Sequence, residues 1–149
     1  MGAEELPRIQ ENVTLAIEEL GPLSDVDFGL NRESVEWVEG FIERQRSRPG
    51  FDPERIDGLI GVLGSFLGEC VVAATGGHWH WSDDHGWGVL LPEGSTIFPF
   101  AKVGKQFRGG LEEGESIAGF YRVVVDVIAT GKMRKIREGG TGDAEGPAT

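Results

Sequence analysis

The stretch from Asp52 to Cys70 constrains the fold of this chain more than any other. It opens with Asp52, Pro53 and Glu54, which supply an N-cap, a proline suited to the first helical position and an acidic first turn. In the helix that this start predicts, at about 100° per residue, apolar residues share one side and small residues share the opposite side. The apolar side holds Ile56, Leu59, Ile60, Leu63, Phe66, Leu67 and Cys70, and the small side holds Gly58, Gly61, Gly64, Ser65 and Gly68.

A glycine inside a helix costs up to about 1 kcal/mol relative to alanine. Four glycines on one stripe therefore predict that another part of the chain packs closely against this side. The helix would then be central and covered on both sides. The alternative is that these glycines are tolerated with nothing packed against them.

The flanking sequence predicts two earlier helices and a later hairpin. Apolar residues recur at helical spacing in residues 9–20, and Gly21-Pro22 ends this first helix. They recur in the same way in residues 31–47, where Asn31 is a good N-cap for the second helix. After Gly76-Gly77 the period changes to two. Tryptophans alternate with other residues on both sides of a turn-rich segment, so residues 78–91 predict a β-hairpin.

The last third of the chain is more ambiguous in its local signals. Residues 96–100 predict a third strand, which Pro99 restricts to a sheet edge or a strand end, and residues 101–110 predict a continued meander or a loop. Residues 117–128 have helical spacing, although the run Val123-Val124-Val125 has the local propensity of a strand.

Together these elements predict a single α+β domain over residues 1–138. Its two N-terminal helices precede a small antiparallel β-meander of three to four strands, packed on the central glycine-striped helix and a C-terminal helix. Residues 139–149 have the composition of a disordered tail.

A series of short motifs runs between residues 52 and 128. They are Leu67-Gly68-Glu69, Gly77, Trp81, Phe98-Pro99-Phe100, Val103, Lys105 and Ser116-Ile117 to Tyr121. This order resembles a family of uncharacterised bacterial domains of unknown function, with a helix ending Leu-Gly-Glu, a tryptophan strand, a Phe-Pro strand, a basic residue and a closing helix. The resemblance implies a compact α+β domain and no activity, and the histidines lie outside its pattern. The layout is also similar to that of small immunity proteins.

The charge of the chain limits the classes of partner. A formal net charge of −11 and a pI near 4.7 argue against binding to nucleic acid or to an anionic membrane, both of which need a positive face. A protein partner, in particular a basic one, fits this charge. We expect no signal peptide at Met1 to Arg8, and we expect Leu59 to Ala74 to be too short and too polar to span a membrane. The predicted location is the cytoplasm.

All three histidines lie in the predicted hairpin and suggest one metal site. His78 and His80 are two residues apart on a strand, so both imidazoles point the same way, and Asp83, Asp84 or His85 could complete a set of three ligands that activates a water molecule. Against this, the same alternation places the histidines in solvent, and Asp is common in turns for backbone reasons. The prediction is no cofactor, with a divalent metal such as zinc at His78, His80, Asp84 and His85 as the alternative.

Two further candidate sites concern one carboxylate and one surface. Glu69, late in the central helix, can be a catalytic acid or base, or a polar anchor for the sheet. The aromatic residues of neighbouring strands, which include Phe98 and Phe100, can form either core or a binding patch. The predicted binding surface consists of Trp79, Trp81 and Trp87 with the basic residues Lys102, Lys105 and Arg108.

Two functions from different classes remain open at this point. The first is a non-enzymatic cytosolic protein-interaction module of immunity-like character, whose acidic surface meets an unknown and basic protein. The second is a small metal-dependent hydrolase that uses the histidine cluster. Cys70, the single cysteine, lies among apolar residues, so we expect it to be a buried small hydrophobic residue.

Overall fold

The computed structural model describes residues 2–128 and confirms the predicted α+β class. This part of the chain contains five helices and one three-stranded antiparallel sheet of order β1-β2-β3. The helices are α1 Gly2–Leu20, α2 Arg32–Ser47, α3 Ile56–Thr75, α4 Pro99–Gly109 and α5 Ile117–Val123, and the strands are β1 His78–Ser82, β2 Gly86–Leu90 and β3 Thr96–Ile97.

The helix boundaries follow the local signals. The Asn31 side chain accepts a hydrogen bond from the N–H of Ser34 and so caps α2. The Asp52 side chain accepts from the N–H of Glu54 and caps the 3-10 turn Pro53–Arg55 that leads into α3. Helix α3 continues through Val71 and Val72 to Thr75, and Gly76 ends it in the left-handed conformation that glycine adopts readily.

The glycine side of α3 is covered over half of its length. A Cβ at Gly64 would lie 2.4 Å from the ring of Phe100, and one at Gly68 would lie 2.1 Å from the indole of Trp79. Gly61 accepts a hydrogen bond from the Asn12 side chain of α1, whereas nothing approaches Gly58 within 4 Å. The close packing predicted from the stripe is therefore confirmed for Gly64 and Gly68, and Gly58 is simply tolerated.

The hairpin is confirmed, with Trp81 opposite Trp87 and Trp79 opposite Val89. Gly86 has φ +77°, as expected where a three-residue hairpin loop returns to its strand. The third strand is shorter than predicted, since only Thr96 and Ile97 pair with β2.

The prediction of a meander or loop over residues 101–110 is wrong, because this stretch belongs to α4. Pro99 occupies the start of this helix, where its missing N–H costs nothing, and does not end a strand. Val103 and Phe107 are buried against the core, while Ala101, Lys105 and Arg108 form the exposed side. Interspersed glycine and lysine residues hide this amphipathic pattern in the sequence.

The closing element is a helix, as predicted. Ser116 caps α5 by accepting a hydrogen bond from the N–H of Gly119, and the valine run continues as a π-helical turn, Val124–Ile128. The predicted end of the domain at residue 138 and the predicted tail at residues 139–149 lie outside the described residues.

A buried polar junction joins α2, α4 and α5. The fully buried Gln106 donates to a carboxylate oxygen of Glu43 at 2.9 Å and accepts from the N–H of Ile117 at 2.9 Å. Glu39 accepts from the Ser116 hydroxyl at 2.6 Å and from the N–H of Ala118 at 3.1 Å. The Glu39 carboxylate of α2 and the Gln106 amide of α4 thus satisfy the start of α5, and Glu43 holds the Gln106 side chain in place.

Helix α3 lies at the centre of the described fold. With its preceding turn it spans Pro53–Thr75, 23 residues with a mean hydropathy of 1.7, so by length and composition alone it can cross a membrane. The expectation that this run is too short and too polar is therefore wrong. A buried core helix has the same length and composition, and α3 packs against α1, α4 and the sheet.

Candidate binding groove beside the tryptophan hairpin

The three tryptophans of the hairpin lie on one face of the sheet, in contact with one another. Trp81 and Trp87 meet edge-on with ring centroids 5.8 Å apart, and Trp79 meets Trp87 at 6.4 Å. Trp79 also contacts Phe100 at 5.9 Å and covers Gly68 of α3. Trp79 therefore belongs to the packing of sheet on helix, while Trp81 and Trp87 extend the same aromatic layer toward the surface.

Each of these indoles donates its N–H to a carboxylate. Trp79 donates to Glu69 at 2.9 Å and Trp87 donates to Glu5 at 3.1 Å. Trp81 donates to Asp83, at 3.0 Å, within the hairpin loop. Since the polar edge of each ring is satisfied in this way, the ring faces remain for apolar or cationic contacts.

A surface concavity of about 470 Å³ lies at this aromatic layer, and we call it the aromatic groove. It is lined by His85, Trp87, Phe98, Phe100 and Ala101. A second concavity of about 260 Å³ adjoins it and shares Trp87 and Phe100. Its other walls come from α1 and α3, namely Glu5, Arg8, Ile9, Asn12, Gly61 and Ser65. Helix α4, the hairpin, α1 and α3 thus all contribute to one continuous apolar surface.

The basic residues of the predicted surface, Lys102, Lys105 and Arg108, lie on α4, and none of them lines this groove. Lys102 is half-buried and places its ammonium group 5.3 Å from the ring centre of Phe120, beside α5. Lys105 is exposed, and the guanidinium of Arg108 lies back over Gly104. Ala101, which precedes Lys105 by one turn, is the α4 residue that connects the groove with this basic side.

The predicted metal ligands are not brought together. His78 and His80 are exposed on the sheet face opposite the tryptophans, and the hairpin loop holds Asp84 and His85. The His85 ring lies against Phe98, with centroids 5.3 Å apart. Within residues 2–128, no three His, Cys, Asp or Glu side chains form a group that could hold a metal ion.

Glu69 occupies the position of a polar anchor, since its carboxylate holds the Trp79 indole against α3. Two neighbouring groups are kept in their neutral forms. Burial raises the pKa of the Cys70 thiol to about 12, and burial likewise raises the pKa of Tyr121. A thiol with so high a pKa is a poor nucleophile at neutral pH. Glu69 and Cys70 therefore have the contacts and protonation of residues that stabilise the core. The aromatic groove beside them is the better candidate for a binding site.

Sequence reasoning found the aromatic residues of the groove but not its walls. Ala101 and the α1 residues Glu5 and Arg8 carry no chemical signal of their own. The position of Pro99 was the available clue, because a helix starting there exposes Ala101 beside the ring of Phe100. Comparison with protein-family models, curated proteins and solved structures finds no match for this chain. The resemblance to the uncharacterised bacterial domains stays a prediction.

Proposed function

We propose that this protein is a non-enzymatic protein-interaction module of the cytoplasm, and that the aromatic groove is its binding surface. The observation that carries the proposal is the aromatic layer beneath the groove, in which Trp87, Phe98 and Phe100 present half-buried rings around a concavity of about 470 Å³. Aromatic side chains in a concave site dominate the binding energy of many protein interfaces.

The partner that this surface fits is basic as well as apolar. Glu5 and Asp83 hold carboxylates at the indole edges, and Asp84 is exposed in the same loop. The exposed ring faces favour a Lys or Arg side chain as well as an apolar one. The charge of the chain supports the same conclusion, since 14 basic residues face 25 acidic ones. An immunity-like role, in which a small acidic protein covers a basic one, belongs to this class.

The hydrolase alternative receives no support from a specific contact. It depended on His78, His80 and His85 acting on one ion, and the described residues offer no such ligand group. The two histidines of β1 are exposed on the face that points away from the aromatic groove.

The test begins with a random peptide library displayed on phage and selected on the immobilised full chain. We expect the recovered peptides to combine an aromatic or aliphatic residue with Lys or Arg, since the groove has ring faces and an acidic rim. Each peptide is then titrated against two variants. Ala101→Arg fills the groove and adds a positive charge at its wall, and Ala74→Arg makes the same change at an exposed position in the last turn of α3.

The expected result is a loss of affinity of about 10-fold or more for Ala101→Arg, which corresponds to about 1.4 kcal/mol, with Ala74→Arg unchanged. Peptides rich in Asp and Glu would contradict the proposed partner chemistry. Equal affinity of both variants for the selected peptides would show that binding occurs elsewhere and would overturn the proposal.

A further inference from the structure

The fold holds two of its own arginines against aromatic rings. The Arg32 guanidinium lies 5.7 Å from the ring centre of Tyr121 and makes two hydrogen bonds to the Asp126 carboxylate, at 2.8 and 3.1 Å. The Arg44 guanidinium lies 5.3 Å from the ring centre of Trp37. A ring face with a carboxylate beside it matches a guanidinium, which is planar, weakly hydrated and donates several hydrogen bonds at once.

The aromatic groove combines a ring and a carboxylate in a similar way at Trp87. This tryptophan lines both the groove and the adjoining concavity, and its indole N–H donates to Oε1 of Glu5 at 3.1 Å. Glu5 also lines the adjoining concavity, and its other oxygen, Oε2, accepts no hydrogen bond within the described residues. Among those residues, no side-chain cation lies over the ring of Trp87 or Phe100.

The charges around this part of the groove favour a cation from a partner. Glu5, Asp83 and Asp84 are exposed, and the two aspartates lie in the loop that also holds His85 of the groove. Arg8, one helical turn after Glu5, lines the adjoining concavity but makes no ion pair with Glu5 in the described part of the chain. Three carboxylates and one guanidinium therefore leave this surface negative.

We propose that the aromatic groove selects an arginine of the partner and that Glu5 determines this selectivity. The proposal rests on the proposed function, because it assigns the chemistry of the side chain that enters the same groove. The guanidinium stacks on Trp87 and donates to Oε2 of Glu5, while Oε1 keeps its contact with the indole. A lysine ammonium is more strongly hydrated and has no planar face for stacking, so it loses more on leaving water.

The test compares three forms of one arginine-containing peptide selected on the full chain. The arginine is kept, replaced by lysine, or replaced by citrulline, which has nearly the same shape but no charge. The affinity for the full chain should fall in the order arginine, lysine, citrulline, with about 10-fold between the first and the last. Lysine or citrulline forms that bind as tightly as the arginine form would overturn the proposal. A selection that returns no arginine-containing peptide would overturn it as well.

Variants of the protein then locate the selectivity at Glu5. Glu5→Gln keeps an oxygen acceptor for the Trp87 indole and removes the charge, and Glu11→Gln makes the same change at another exposed position of α1. Glu5→Gln should weaken binding of the arginine form about 5-fold and leave the citrulline form unchanged, whereas Glu11→Gln should affect neither. Arg8→Gln removes a repelling charge and should strengthen the arginine form. Equal losses for both peptide forms in Glu5→Gln would contradict the role of Glu5.

The Ala101→Arg variant separates a failure of this proposal from a failure of the proposed function. The three peptide forms could bind the unchanged chain equally well and all be weakened by Ala101→Arg. The groove would then be the binding surface, and the selection of arginine would be wrong. If Ala101→Arg weakened none of them, binding would occur elsewhere, and both proposals would be overturned.

Discussion

The hairpin and the α2–α4–α5 junction lie on different sides of the fold and are stabilised by different kinds of interaction. On the hairpin side, rings pack on glycines: Trp79 lies on Gly68 and Phe100 lies on Gly64. On the α2–α4–α5 side, the fully buried Gln106 and the Glu39 carboxylate satisfy the start of α5, and the Glu43 carboxylate accepts a hydrogen bond from Gln106. The first region depends on shape, and the second depends on hydrogen bonds.

This difference explains where a binding surface can form. Rings packed on glycines leave their outer faces available, so the hairpin side continues into the aromatic groove without any change in the core. In the polar junction the donors and acceptors of Gln106 are used within the fold.

Gly68→Ala should cause the largest loss of stability. Its Cβ would lie 2.1 Å from the Trp79 indole and 3.0 Å from Pro99, so the sheet must move away from α3. We expect the free energy of unfolding in urea to fall by about 3 kcal/mol. Gly58→Ala, with nothing within 4 Å, is the matched control and should gain about 0.5–1 kcal/mol from helix propensity. Equal effects of the two changes would contradict shape-dependent packing.

Gln106→Met keeps the length of the side chain but removes its polar atoms. The buried N–H of Ile117 and the carboxylate of Glu43 would each lose a partner, and we expect a loss of about 2 kcal/mol. The measurement is urea unfolding at pH 7, with Gln10→Met on the exposed side of α1 as the control. If both methionine variants were as stable as the unchanged chain, the junction would not depend on hydrogen bonds.

Cys70 adds a pH dependence to the centre of the fold. Burial raises its pKa from 9.0 to about 12, so the unfolded chain loses the thiol proton at lower pH than the folded chain does. The contribution of the protonated thiol to the free energy of unfolding is fully present below pH 9. It is lost as the pH rises from 9 toward 12. By pH 10 the loss in the free energy of unfolding should be about 1.4 kcal/mol relative to pH 8. Cys70→Ala should lack this part of the decline, and identical slopes for both proteins would exclude a buried neutral thiol.

Glu69 holds the Trp79 indole against α3, and its replacement should have the smallest effect. Glu69→Leu leaves the Trp79 N–H without its acceptor and is expected to cost about 1 kcal/mol. Glu69→Gln keeps an oxygen acceptor and should cost less. The change is measured by thermal unfolding together with near-ultraviolet circular dichroism of the tryptophans. Equal losses for Gln and Leu would mean that the charge, not the hydrogen bond, matters here.

The features that could be predicted from the sequence are those set by residues close together in the chain, such as helix caps. Asn31 and Asp52 cap their helices through residues two or three positions away, so their roles are visible in the chain. Pro99 suits both the end of a strand and the start of a helix, and its environment decided for the helix. Gln106 finds its partner Glu43 63 residues away, a pairing that only the tertiary structure reveals. The shape of the aromatic groove escaped prediction for the same reason, since the hairpin and the start of α4 meet there only in the folded chain.

The most direct test of the binding claim is to map a selected peptide onto the ¹⁵N-labelled full chain by NMR. We expect amide shifts to concentrate at His85, Trp87, Phe98, Phe100 and Ala101, and we expect the Trp87 indole N–H to shift with them. Shifts confined to the His78 and His80 face of the sheet, with the groove unaffected, would contradict it.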